Sequence, residues 1–314
     1  MICLICKEKI SEILSKKLRG GEKVPVFYCA KCDLGMLGQN VSSNELKKYY
    51  AGKYRKIASP KLGVATNPKE LFETAVMFQE DRLKLLKQHF GKNKRLLEVG
   101  CSAGMFLWHV RNYVKEAVGI DYDGRSAKFA SLKSGCKTYD TDIEKTGLRE
   151  RSFDVICAFQ ILEHVNDPVD FVTRYKRYLK PGGVIAIEVP NLRDALVYAY
   201  DLPNHSKFFY HISHPWYFTE TSLKKVMAGN GFRGDIFHTQ DYNIFNHMNW
   251  IMNDKPQPTS ISGLSKPKIK FRQNIEPKIK NSLGKFMADT DAAYKKKLAE
   301  LKITSNIFYL GRTR

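Results

Sequence analysis

"LLEVGCSAGMF", residues 96–106, is the stretch from which the rest of the chain can be ordered. Its apolar run is too short for a helix and stops just before Gly100 and Gly104, which predicts a buried parallel strand ending in a tight turn. A helix is expected from about Ala103. Glycine at a strand-to-helix turn lets the backbone approach a ligand, because no Cβ stands in the way. An ordinary strand-to-helix turn would read the same way, so the flanking segments have to decide.

They continue an alternation. "KRLLEVG" reads as strand, "GMFLWHVRNYV" helix, "EAVGID" strand, "GRSAKFASLKSG" helix, "CKTYD" strand, "SFDVICAFQIL" strand, "DPVDFVTRYKRYL" helix and "GVIAIEVP" strand. Upstream, "NPKELFETAVMFQEDRLKLLKQHF" reads as helix, with Pro68 in its first turn. Downstream, "TETSLKKVMAGNGF" is a capped helix and "FRGDIFHT" a strand. The alternation stops between about 239 and 304, a Pro- and Lys-rich loop followed by a helix over "ADTDAAYKKKLAELK". It ends on a last strand, "SNIFYLGR". Such an order predicts an α/β fold with a mainly parallel sheet covered on both faces, and ligands at the carboxyl ends of the strands. Gly100, Asp121, Asp142 and Gln160 all fall there.

Asp121 ends the second strand, where a carboxylate can accept hydrogen bonds from both hydroxyls of a ribose lying over the turn. Dinucleotides and S-adenosylmethionine both use that arrangement. A dinucleotide fingerprint would read G-x-G-x-x-G, whereas this turn runs Gly100-Cys101-Ser102-Ala103-Gly104, with Glu98 two residues before the first glycine, a pattern that favours the sulfonium cofactor. "LLEVGCSAGMF", "AVGIDYDGRSAKFA", "DTDIE", "FDVICAFQILEHVNDP" and "YLKPGGVIAIEVPN" resemble, in order and spacing, the successive motifs of class I S-adenosylmethionine-dependent methyltransferases. The resemblance implies a Rossmann-like seven-stranded sheet whose last strand is antiparallel. By position it places Glu98, Gly100, Ser102 and Gly104 around the methionine part of the cofactor and Asp121 on the ribose. Tyr122 would lie against the adenine, Asp142 and Ile143 would flank it, and Phe159 and Gln160 would line the floor. Ser102 stands where the family commonly has glycine, and is small enough to leave the turn intact.

Cys3-x2-Cys6 and Cys29-x2-Cys32 flank a 22-residue gap. Two such thiolate pairs suit a closed, structural zinc site in a segment too small to bury its own core. Cys101, Cys136 and Cys157 read as inert packing. A four-cysteine segment ahead of this fold resembles the sugar C-methyltransferases of deoxysugar and polysaccharide pathways. In that family a histidine-rich stretch before the sixth-strand helix supplies the catalytic base. The counterpart here is "NHSKFFYHISHPWYFT", residues 204–219, and His214, His211 and Tyr210 are the candidate catalytic residues. The family's "HEH" pattern is absent, since Ser213 and Ile212 precede His214. Removing a proton from a sugar carbon needs a strong base, whereas a hydroxyl or amine acceptor asks for less. His164 reads as a residue shaping the cofactor side.

The expected organisation is a zinc-binding module over 1–40, a connector over 41–66 with a short helix near Glu45–Tyr50, and a methyltransferase domain over 67–314 with an insertion at about 239–304. Net charge is +20, with 12 basic and 5 acidic residues in 1–60 and 14 and 4 in 255–314, so the excess lies at the ends. Such ends favour anionic partners. The first expectation is methyl transfer to a small-molecule, sugar or glycan acceptor, nucleotide- or phosphate-linked. A nucleic-acid substrate, RNA, is the second and a non-catalytic cofactor-binding scaffold the third. No run of 18 apolar residues and no signal-peptide pattern is found, so a cytoplasmic protein without a membrane span is expected.

Overall fold

The computed structural model describes residues 1–19, 21–39 and 66–313; the helix expected near Glu45–Tyr50 and nearly all of the connector lie outside the described residues. At the N-terminal end, β1 (Ile13–Ser15), β2 (Val26–Cys29) and β3 (Leu34–Leu37) form an antiparallel meander. Two helices follow, α1 (Pro68–Ala75) and α2 (Glu80–Leu86). The expected single helix is broken at 76–79, where the Val76 carbonyl bonds the His109 ring nitrogen at 2.7 Å. A capping box between Asn67 and Glu70 starts α1.

The main sheet takes β4 (Gly91–Val99), β5 (Val114–Ile120), β6 (Lys137–Tyr139), β7 (Phe153–Phe159) and β8 (Leu179–Pro190) as parallel strands. Between them lie α3 (Met105–Val110), α4 (Gly124–Ser134) and α5 (Pro168–Lys176). Strand β7 is buried along nearly its whole length, as it must be when helices cover both faces. One face packs Val172, Tyr175, Leu223, Val226 and Met227, and the other packs Leu86, Phe106, Leu107, Val110 and Ala130.

Short helices α6 (Ala195–Tyr198) and α7 (Pro203–Phe209) lead to β9 (Trp216–Tyr217), and α8 (Glu220–Gly229) to β10 (Phe232–Thr239). The insertion holds three helices: α9 (Ile244–Asn253), α10 (Ile261–Leu264) and α11 (Pro277–Glu300). The last begins about three turns before the expected start, with Pro277 in the one turn that tolerates it. Strand β11 (Asn306–Thr313) runs antiparallel between β8 and β10, giving the order β10-β11-β8-β7-β4-β5-β6. The seven-stranded sheet with an antiparallel strand near its edge is therefore as expected.

The N-terminal segment does not stand apart. Its meander takes β9 as a fourth strand, pairing Gly35 with Tyr217 and Met36 with Trp216. Cys3, Cys29, Cys32, Leu34 and Met36 belong to the same buried cluster as the sheet's own Ile185 and Ile187. No helix among the described residues is long and apolar enough to cross a membrane.

The turn after β4 has Gly100, Ser102 and Gly104 at φ of 75°, 47° and 82°. Both glycines are demanded by protein neighbours: a Cβ on Gly100 would meet Ile161 Cδ1 at 2.0 Å, and one on Gly104 would meet Ala130 Cβ at 2.8 Å. Gly104→Ala, strained in φ and pressed on α4, should lower stability by about 1–3 kcal/mol in denaturant unfolding.

Candidate active site

Outside the carboxyl ends of β4, β5 and β7 lies a cavity of about 1000 Å³. Glu98, Gly100, Ser102, Asp121, Tyr122, Asp142, Phe159 and Gln160 line it, eight of the expected cofactor positions brought together by the sheet. Gly104 and Ile143 do not. Gly104 is used against α4, and the Ile143 side chain is buried in the main core, so the expectation that it flanks the adenine is not carried by its side chain.

The Asp121 carboxylate accepts the Ser102 N–H at 2.8 Å and the Asp123 N–H at 2.9 Å. Both carboxylate oxygens are thereby fixed at the cavity wall. Tyr122 donates its hydroxyl to Asp142 at 2.6 Å, so the ring expected against an adenine and the carboxylate expected to flank it are held as one unit. Phe159 packs edge-on against Phe106, with ring centres 5.0 Å apart. Gln160, at a φ of 57°, donates to Glu188 at 3.0 Å and to Asn306 at 3.1 Å.

Two contributors were not read from the sequence, because nothing in "QEDRLKLL", residues 79–86, separates them from an ordinary amphipathic helix. Helix α2 delivers Arg82 into the cavity, its guanidinium 4.6 Å over the Phe159 ring and forked onto both oxygens of Glu188. Gln79 lies beside it, accepting from Arg82 at 3.0 Å. Deeper, Glu98 is 5% exposed and its Oε2 has no hydrogen-bond partner. Burial pushes its carboxyl up to about 8, against the opposing pull of Arg82. These residues fit S-adenosylmethionine: an acceptor carboxyl for its ammonium at Glu98 and Asp121 for the ribose.

The histidines gather at the far wall. His164 lines the cavity, with its ring centre 4.5 Å from that of His214, which in turn stands 3.7 Å from His211. His214 and His211 thus lie one and two rings behind the surface that the sequence assigned to them. Burial holds all three imidazoles below their ordinary pKa, His164 at about 4. Tyr210 lies farther off, buried against Phe209 and Tyr217, with its hydroxyl pushed up to about 12 by burial. Nothing places Tyr210 at the cavity wall.

The four cysteines Cys3, Cys6, Cys29 and Cys32 converge with their sulfurs within 4.8 Å of one another, Cys6 and Cys29 at 3.7 Å. Four thiolates around a tetrahedral zinc would stand ~3.8 Å apart, so the donor set and spacing fit that ion. A backbone hydrogen bond from Glu8 draws the Cys6 thiol down to about 7, while burial raises Cys29 and Cys32. The other cysteines are buried, with thiols raised by burial, in keeping with packing roles.

A sheet of this order with an acid-ended second strand and a glycine turn at its switch point defines the class I methyltransferase fold. The family described as a methyltransferase domain matches residues 72–235, just over half of the chain, and the chain belongs to that family. It is 30% identical over 106 residues to a Mycolicibacterium smegmatis protein named "Probable S-adenosylmethionine-dependent methyltransferase", covering 33% of this chain and 40% of that protein. It is 33% identical over 102 residues to the ubiquinone biosynthesis O-methyltransferase of a Bradyrhizobium species, covering 31% and 40%. The chain thus spans about two fifths of the length of these relatives. A crystal structure of a SAM-dependent methyltransferase from Archaeoglobus fulgidus overlays 78% of this chain and 97% of its own with a TM-score of 0.50 at 16% identity, a likeness of fold.

Burial pushes the Glu98 carboxyl up to about 8, whereas pairing with a ligand ammonium would require the carboxylate, so cofactor binding there is expected to release a proton. Cofactor affinity, measured by calorimetry, should rise between pH 6.5 and 8.5 by up to about tenfold per unit, and Glu98→Gln should flatten the profile.

Proposed function

We propose that this chain transfers a methyl group from S-adenosylmethionine to a hydroxyl of a small-molecule acceptor entering beside His164. The cofactor supplies an electrophilic methyl on a sulfonium. The chain's residues align the acceptor with that methyl and accept the hydroxyl proton, a task suited to uncharged imidazoles. The observation that carries the oxygen-acceptor reading is the cluster of His164, His214 and His211, their pKa values lowered by burial, reaching the cofactor cavity through His164. It is supported by relatives named as O-methyltransferases. A sugar or glycan hydroxyl stays within this class, and the resemblance of the four-cysteine segment and histidine stretch favours it.

We also propose that the cysteine quartet holds a structural zinc whose role includes anchoring the histidine stretch. Leu37 N–H donates to the Pro215 carbonyl at 2.9 Å, Arg19 N–H to that of Tyr210 at 2.6 Å, and Thr219 Oγ1 to that of Asp33 at 2.7 Å. Metal analysis of reduced protein should find one zinc at this site. Chelation should raise amide exchange in both 26–37 and 210–219, while β4, β5 and β7 stay protected.

Incubating the protein with methyl-labelled cofactor and fractionated small metabolites, glycans and RNA tests the acceptor class; label confined to RNA would refute it. With the true acceptor, His214→Ala should lower turnover about a hundredfold with cofactor affinity little changed. At saturating cofactor, wild-type turnover should stay level from pH 8 down to about 6, because imidazoles depressed by burial remain unprotonated there.

A further inference from the structure

We propose that Glu163, His164 and His214 form a binding site for a divalent transition-metal cation, separate from the cysteine quartet and set in the wall of the cofactor cavity. One ligand atom from each lies within 4.8 Å of the other two. Glu163, in the 3-10 turn Leu162–His164, is 1% exposed, and neither of its carboxylate oxygens has a hydrogen-bond partner. A buried carboxyl left this way is costly unless a proton or a cation joins it. Arg82 does not serve, being forked onto Glu188.

The surroundings orient the donors as metal sites require. His164 Nδ1 lies 2.7 Å from the Ser213 carbonyl, which can only accept, so the proton sits on Nδ1 and Nε2 carries the lone pair, 3.7 Å from Glu163 Oε1. Ser213 also offers its hydroxyl to His211 Nδ1 at 2.6 Å, so one residue braces the ring on each side of His214. Two imidazoles and one carboxylate suit zinc, iron(II) or manganese, and leave coordination positions for another oxygen ligand.

The site deepens the hydroxyl-acceptor reading and rests on it for the acceptor's position. A cation there would draw density from the acceptor oxygen and ease loss of its proton to solvent in the open cavity. The new O–C bond forms as the methyl–sulfur bond breaks, leaving a neutral thioether.

The test uses full-length protein with the cysteine quartet filled by zinc, titrated with cobalt(II). Cobalt bound here should reach one per chain and show d–d bands without thiolate charge-transfer absorption. Glu163→Gln, which keeps the side chain's shape, and His214→Ala should each weaken binding at least tenfold, with folding verified by thermal unfolding. Failure of wild-type protein to bind cobalt, or binding that survives both substitutions in folded protein, overturns the metal site. If cobalt does not bind while His214→Ala still slows transfer, the metal fails and the hydroxyl-acceptor reading stands. If cobalt binds as expected while His214→Ala transfers at the wild-type rate, the metal site stands and the acceptor reading fails.

Discussion

The Asp121 carboxylate, with one oxygen on the Ser102 N–H and the other on the Asp123 N–H, splices the glycine turn to the end of the neighbouring strand. The Ile120 carbonyl adds a second tie by accepting from Gly100 and Cys101. Together these bonds keep Ser102 in a left-handed conformation that serine seldom adopts unaided. The turn is held open at the cavity, with Glu98 at the end of β4, Tyr122 just after β5 and Phe159 at the end of β7 lining it.

Around that cavity, charge is distributed unevenly. Of the buried acids Glu98, Glu163 and Glu188, only Glu188 has its cation in the fold, supplied by Arg82. In a low-dielectric interior an unpaired carboxyl stays protonated or recruits a positive partner. Glu98 faces the space where a cofactor ammonium would enter, and Glu163 faces two imidazoles. The same physics thus marks both halves of the site, the cofactor half and the histidine half.

The four-cysteine segment and the histidine stretch meet through main-chain hydrogen bonds, which depend on path and register more than on side-chain identity. β3 pairs with β9, and the Arg193–Asp33 ion pair at 2.9 Å closes the same contact from the other side. A segment that would be too small to fold on its own is thereby completed by the domain it serves, and the loop bearing His211 and His214 gains a rigid backing.

The alternation of strands and helices, the glycine turn and Asp121 were legible in the sequence, because local apolar runs and turn residues report backbone conformation directly, while the seven-stranded sheet followed from the family resemblance. Spacing also disclosed the cysteine quartet. What the sequence could not disclose depends on contacts between distant segments. Arg82 looks like any helical arginine until α2 is laid across β8, and the break before α2 follows from a carbonyl taken by His109. Gly104 carries the same motif whether it faces a ligand or Ala130, and only helix packing decides for Ala130. Glu163 and His214 lie 51 residues apart in the chain, and no local pattern records that the loop after α7 folds back onto the 3-10 turn after β7. Local chemistry wrote the scaffold into the sequence; the pairing of remote side chains, and with it the electrostatics of the site, was decided by tertiary packing.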